Sequence, residues 1–309
     1  MATSTATGKS KKAAPHTLNG TANGSAVTKK RLEVRKTYKI YIDGKFPRTE
    51  SGRVYALKNA AGEVIANICR GSRKDLRDSV VSNRKAQEAW AKRSAYNRGQ
   101  ILYRIAETLE GRRAQFADTL VKQGYTATAA QKEIDATVDL LVYYAGWSDK
   151  YTQVFSSVNP VESSHFNFSY HEPVGIVNII AEQNSGLLGI VSSSIPVIVG
   201  GNTCTVIASE KYPLTAVDFA EVLNASDVPG GVINIITGYR KEFTSHASSH
   251  MDVNAIVYSD LSADDRKLVQ TNAALNVKRV VDFSKEPLLN PYRILSTQEV
   301  KTTWHPIGS

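Results

Sequence analysis

Two cysteines, Cys69 and Cys204, are the only thiols in this chain of 309 residues, and neither stands where a nucleophile needs to stand. A reactive cysteine is kept as thiolate by a positive, partly exposed setting. Cys204 lies inside the apolar run Cys204–Ile207, where burial raises a thiol's pKa and leaves it inert. Cys69 sits early, in a region that reads as a small hairpin. The histidines offer one i,i+4 pair, His246 and His250. Without an intervening glutamate and a third ligand, that pair makes no zinc site. Glu182 and the doublet Asp264-Asp265 lack partners at a spacing that sets up paired-carboxylate catalysis, and no P-loop pattern occurs. What does recur is glycine among short apolar runs, at Gly175, Gly200-Gly201, Gly230-Gly231 and Gly238.

The elements that would position these residues alternate in type. Tyr38–Ile42 alternates apolar and polar and meets Asp43-Gly44, which reads as a strand entering a tight turn. Arg53–Leu57 and Val64–Ile68 are further short strands. Ser72 with Asp75 three residues on is an acidic variant of the capping box, and a helix follows it. Three more helices are expected over Tyr96–Glu110, over Arg113–Gln123 with Gly124 as its C-cap, and near Ala130–Lys150. Trp90, Tyr143, Tyr144 and Trp147 read as core or interface aromatics. Val174–Ile180 is a continuous apolar run of the kind a doubly covered parallel strand needs. Strands at Cys204–Ile207, Val232–Ile236, Ala255–Tyr258 and Val277–Phe283 then alternate with helices at Leu187–Val199, Leu214–Leu223, Glu242–Ser248 and Ala263–Ala274. Repeated βα units predict an α/β fold with a Rossmann-type parallel sheet.

Composition narrows the setting. No run of 18 apolar residues exists, so no transmembrane helix is expected, and two cysteines give no disulfide framework. A reducing, cytoplasmic location follows as the expectation. The net charge of +9 is concentrated at one end: residues 1–36 hold eight lysines and arginines against Glu33 alone. That segment, rich in Ala, Thr, Ser and Gly, reads as a disordered basic tail that would suit an acidic partner. Its lack of aromatics argues against base stacking.

The run from Glu172 to Gly238 carries a resemblance. Glu172-Pro173-Val174-Gly175-Ile176-Val177-Asn178, Gly200-Gly201-Asn202-Thr203, Ser209-Glu210-Lys211 with Pro213-Leu214-Thr215-Ala216, and Pro229-Gly230-Gly231-Val232-Ile233-Asn234 stand in an order and spacing similar to the nucleotide-binding half of an aldehyde dehydrogenase. Tyr96–Glu107 and Tyr143–Lys150 resemble that fold's helices, and Glu299–Pro306 resembles its C-terminal oligomerisation strand. Ordinary members place a whole catalytic domain between Asn276–Val280 and that last strand. Its absence makes the chain similar to the shortened C-terminal repeat of the family-16 aldehyde dehydrogenases. The domain layout implied is a nucleotide-binding-like domain over 37–285, with a ribbon strand near 163–172, and a linker with the oligomerisation strand over 286–309.

The resemblance also implies where function has decayed. Asn184 aligns with the amide donor of the family's oxyanion hole, so it stands as a vestigial catalytic position. Ser209 and Glu210 align with the cofactor-ribose region, but Ile207 replaces the family lysine there. In the phosphate-binding turn the Gly-Ser pair is replaced by Asp260-Leu261, and Asp265 falls near the helical glycine. Carboxylates at a helix start cap its amides and repel a diphosphate. The run Leu275–Arg279 lacks the general-base glutamate, and no cysteine takes the nucleophile's place. The expectation is an inactive pseudoenzyme without a cofactor, NAD(P) being disfavoured, that serves assembly or scaffolding. Its partner would be a second copy or a larger assembly, through an interface at Phe166, Phe168, Val300 and Trp304. The alternatives are an NAD(P)-linked oxidoreductase or nucleotide-binding subunit completed by a partner, and an accessory protein on an acidic polymer such as a microtubule.

Overall fold

The computed structural model describes residues 34–308; the expected basic tail lies almost wholly outside them. Residues from Arg35 onward form one compact unit. It opens with a small sheet of β1 (Thr37–Tyr38), β2 (Val54–Lys58) and β3 (Val64–Cys69), with β3 in the middle. The strand expected over Tyr38–Ile42 is split between two sheets. Thr37 and Tyr38 pair with β3, while Tyr41 exchanges both backbone hydrogen bonds with Ile235. Asp43 and Gly44 both take positive φ, as the two-residue turn demands.

The capping box forms as expected. Ser72 Oγ accepts from the Asp75 amide and Asp75 Oδ2 accepts from the Ser72 amide, starting α1 (Arg73–Ala91). Next come α2 (Ala95–Glu110), α3 (Arg113–Lys122) and α4 (Ala127–Trp147). Thr126 caps α4, which starts at Ala127, three residues before the start expected from the apolar pattern, and Gly124 closes α3 at φ +106°. Trp90 and Tyr144 are buried in the core with their polar ends satisfied, by Ile198 O at 2.9 Å and Leu288 O at 2.8 Å. A short α5 (Tyr151–Phe155) leads to β4 (Ser157–Asn159) and β5 (His165–Pro173).

The main sheet follows: β6 (Ile176–Ile180), α6 (Leu188–Val199), β7 (Thr203–Ile207), α7 (Pro213–Ala225), β8 (Ile233–Ile236), α8 (Arg240–Ser249), β9 (Ala255–Tyr258), α9 (Ala263–Ala274) and β10 (Arg279–Asp282). Its five strands are all parallel in the order β10-β9-β6-β7-β8. Strand order therefore reverses between β6 and β9, the arrangement of the Rossmann class. β6, β7, β8 and β9 are buried at every residue, which is why they read as unbroken apolar runs. The last strand is shorter than its pattern predicts, because Val277 turns the chain at φ +55° before β10 and a 3₁₀ turn follows at Phe283. No second parallel sheet accompanies this one among the described residues.

Residues 286–297, expected as a linker, pack against α6. The Arg293 guanidinium, buried there, donates to the carbonyls of Ser192, Phe283 and Glu286. After α10 (Tyr292–Leu295), β11 (Gln298–Pro306) pairs antiparallel with β5 over nine residues. The ribbon has three strands rather than two, since β4 pairs with the other edge of β5. The register also separates the four residues named for an interface. Phe166, Phe168 and Tyr170 share one face, where Phe166 and Phe168 pack tilted at 5.5 Å and Phe168 and Tyr170 stack at 6.0 Å. Trp304 lies opposite Asn167 and Val300 opposite His171, which puts both on the reverse face.

Candidate functional site

In a doubly wound sheet the ligand crevice lies outside the carboxyl ends of the strands, at the switch point. Here that crevice is bordered by the segments after β6, β7, β8 and β9 and by the starts of α6, α8 and α9. The chain fills it with its own side chains. Gln183 sits at the centre: its amide donates to Asp260 Oδ2 at 2.7 Å, its Oε1 accepts from the Glu210 amide at 2.8 Å, and its carbonyl accepts from Ser209 Oγ at 3.0 Å. Arg240 crosses from α8, its Nη2 donating to Asp260 Oδ1 at 2.5 Å and to Ala181 O at 2.7 Å. The Arg240 side chain is 11% exposed and that of Asp260 23%. A charge-assisted contact at this depth is not a screened surface pair.

Every helix start around the crevice already holds a protein acceptor. Glu133 Oε1 accepts from the amides of Leu187 and Leu188, at 2.6 and 3.0 Å, and so caps α6. Glu210 Oε1 accepts from the Arg240 amide at 2.5 Å at the start of α8. Ser262 caps α9 through the Asp265 amide at 3.1 Å, and Asp264 and Asp265 add negative charge to its first turn. Amides and dipoles that would hold a pyrophosphate are committed elsewhere. Two buried donors in this network, Arg240 Nε and Gln183 Nε2, have no hydrogen-bond partner.

The residues expected from sequence divide. Ser209 and Glu210 do lie in the crevice, as parts of the closing network rather than as free ligands. Asn184 is exposed at its edge, with its Oδ1 held by Lys211 Nζ at 2.6 Å. Both cysteines are buried, and burial pushes the Cys204 thiol far above its usual range. Glu182 is also held above the ordinary carboxyl range, first by burial and then by Asp260 and Glu133. His246 and His250 form no metal site; no cluster of three ligating side chains occurs among the described residues. Sequence reasoning missed Arg240, Gln183 and Glu133. The only signal for Arg240 is its place just past Gly238, at a helix start after a strand, and nothing local ties it to Asp260 twenty residues on.

The family profile described as the aldehyde dehydrogenase family matches residues 46–281. The chain belongs to that family. Among its relatives, retinal dehydrogenase 2 of Gallus gallus is 31% identical over 256 residues, which are 81% of this chain and 48% of that protein. Omega-crystallin of Enteroctopus dofleini is 30% identical over 250 residues, 79% and 50% of the two chains. The aldehyde dehydrogenase of Bacillus cereus, solved as its NAD+ complex, superposes with a TM-score of 0.76 at 26% identity, over 80% of this chain and 50% of that one. This member of the family thus spans about half the length of the aldehyde dehydrogenases and relatives it matches. What it shares with them is the Rossmann-type oxidoreductase fold.

Proposed function

We propose that this aldehyde dehydrogenase family member is a catalytically inactive structural subunit, built like the shortened C-terminal repeat of family-16 enzymes. Its role is assembly through the ribbon β4-β5-β11 with a second copy or a larger protein complex in the cytoplasm. The observation that supports this best is the crevice in which each helix start is capped by the chain's own side chains, Glu133, Glu210 and Ser262. The Arg240–Asp260 pair spans the same space. Absence of an exposed thiol and of a carboxylate in Leu275–Arg279 points the same way, since acyl transfer through a thiohemiacetal needs a nucleophile and a base. The basic N-terminal segment, outside the described residues, would serve an acidic partner.

Calorimetry with NAD+ and NADP+ tests the reading, together with an aldehyde-oxidation assay on contaminant-free protein. No thiol-dependent NAD+ reduction is expected with any aldehyde, and no saturable binding below about 1 mM. Replacing Asp260→Gly and Leu261→Ser together should tighten NAD+ binding by at least about tenfold, as the carboxylate facing the diphosphate is removed. The rival reading, a nucleotide-binding subunit completed by a partner, draws on the unpartnered Arg240 Nε and Gln183 Nε2. A wild-type Kd for either dinucleotide below about 10 µM would establish it in place of ours.

A further inference from the structure

A second concave site lies on the far side of α8 from the crevice, and it has the opposite electrostatic character. The chain makes it by a close approach. β3 ends at Cys69, and Gly71 then passes against the end of β8 with its amide on Thr237 O at 2.8 Å. A Cβ on Gly71 would stand 2.5 Å from Ile236 Cγ2 and 2.9 Å from Thr237 O, so only glycine lets this segment through. The approach brings the first turn of α1 beside the first turn of α8. Between them is a cleft of about 390 Å³ lined by Arg53, Ser72, Arg73, Lys241, Glu242 and His246, among others.

The charges in this cleft do not balance. Its one lining carboxylate, Glu242, is held by both forks of Arg70, with Nε to Oε2 at 3.1 Å and Nη2 on Oε1. Arg70 in turn lies over the Tyr239 ring at 4.8 Å, fixing the pair in place. Arg53, Arg73 and Lys241 remain, all exposed; Arg53 donates Nε to Ser51 Oγ at 3.2 Å and adds to the field at Glu242, but no carboxylate stands within salt-bridge distance of any of the three among the described residues. Other arginines on this surface do meet carboxylates, Arg104 with Asp227 and Arg113 with Glu110 and Asp135, and these pairs show the neutralisation that the three cleft cations lack. Three like charges converging on one cleft repel each other, and a multivalent anion removes that repulsion. His246 is held below the ordinary imidazole range, first by burial and then by Arg73, so it sits neutral in the cleft near pH 7 as a hydrogen-bonding group.

We propose that this cleft between α1 and α8 binds a small phosphate monoester, with Arg53, Arg73 and Lys241 on the phosphoryl oxygens. A monoester carries close to two negative charges at neutral pH and three oxygens that accept forked arginine donors. Phe243, which lines the floor of the cleft, is only 1% exposed and offers a base no face to stack on, and the cleft's volume suits a small ester rather than a polymer. The site shares no ligand-facing residue with the Gln183–Arg240–Asp260 network and stands independently of the functional reading above.

The test titrates the full chain with inorganic phosphate and with glycerol 3-phosphate at constant ionic strength, by calorimetry and by NMR of the His246 ring. Saturable binding with a Kd between about 0.1 and 1 mM is expected for both probes, with the His246 resonances moving along the same curve. Arg73→Gln with Lys241→Gln should weaken binding at least about tenfold. Lys122→Gln with Lys132→Gln, an equal loss of charge on exposed residues of α3 and α4, should leave it unchanged. Any of four results overturns the proposal. These are no saturation by about 20 mM, equal loss in the Lys122/Lys132 control, full binding retained in the Arg73/Lys241 variant, and exclusion of the ester where inorganic phosphate binds.

Discussion

Asn83→Leu is expected to lower the unfolding free energy by about 3–5 kcal/mol, although the two side chains are nearly equal in volume. Asn83 is fully buried on the inner face of α1. Its Nδ2 donates to Cys204 O at 3.0 Å and Gly231 O at 2.8 Å, and its Oδ1 accepts from Thr205 Oγ1 at 2.5 Å. One amide thus joins α1 to β7 and to the turn before β8. Leucine fills the space and satisfies none of these groups; Thr205 Oγ1 keeps Ser79 Oγ at 3.0 Å, but the Cys204 and Gly231 carbonyls lose this donor without gaining water. Gly231 packs closely on α1 there: it sits at φ +85°, and a Cβ on it would stand 2.6 Å from Ser82 O. The check is denaturant unfolding at fixed protein concentration, with Lys85→Leu, an exposed neighbour on the same helix, as control. That control should move stability by less than about 0.5 kcal/mol. A loss below about 1 kcal/mol for Asn83→Leu would mean that the α1–sheet joint does not depend on this amide.

On the proposed assembly the intact protein is expected to be a dimer or larger species at about 100 µM, and removing the ribbon's outer strand should convert it into monomers or aggregates. The cut matters. Thr297 O accepts from Asn202 Nδ2 at 2.9 Å and Gln298 Nε2 donates to Gly200 O at 3.2 Å, so a deletion beginning at residue 296 also strips the body of two anchors. Deleting 299–309 leaves them and isolates the ribbon's own contribution. The faces then separate. Phe166, Phe168, Tyr170 and Val158 line a continuous apolar hollow of about 380 Å³, whereas Val300 and Trp304 are set apart by Thr302. Phe166→Glu with Phe168→Glu should therefore weaken association by about 100-fold or more, and Val300→Glu with Trp304→Glu by less. Light scattering that finds the wild type monomeric at about 100 µM, with the 299–309 deletion equally soluble and stable, would remove the ribbon from the assembly.

How far the sequence was legible depends on how local each determinant is. Ser72 with Asp75, Asp43-Gly44 and the apolar runs of β6, β7 and β9 act through neighbours in the chain, and each appears where its pattern puts it. β4, three residues long with no alternation to betray it, forms only because β5 offers an edge. The two faces of the ribbon could not be told apart before the register was known, since a shift of one residue exchanges them. The crevice was half legible. Asp260 and Asp265 announced a hostile charge at the phosphate turn. The arginine that answers Asp260, and the glutamate from α4 that caps α6, are brought there by tertiary packing across 20 and 54 residues.

The joint between ribbon and sheet has a mechanical meaning. β5 runs into β6 through Val174 and Gly175 alone, and the Gly175 amide is clamped by Asn202 Oδ1 at 2.9 Å. A pull exerted on the ribbon by a bound partner therefore enters the sheet along β6, its middle strand, which is laddered on one side to β7 and on the other to β9. Both ladders meet such a load in shear, so their hydrogen bonds resist together rather than opening one after another. Tension in an assembly would thus be borne by a strand buried at every residue, at the end opposite the filled crevice.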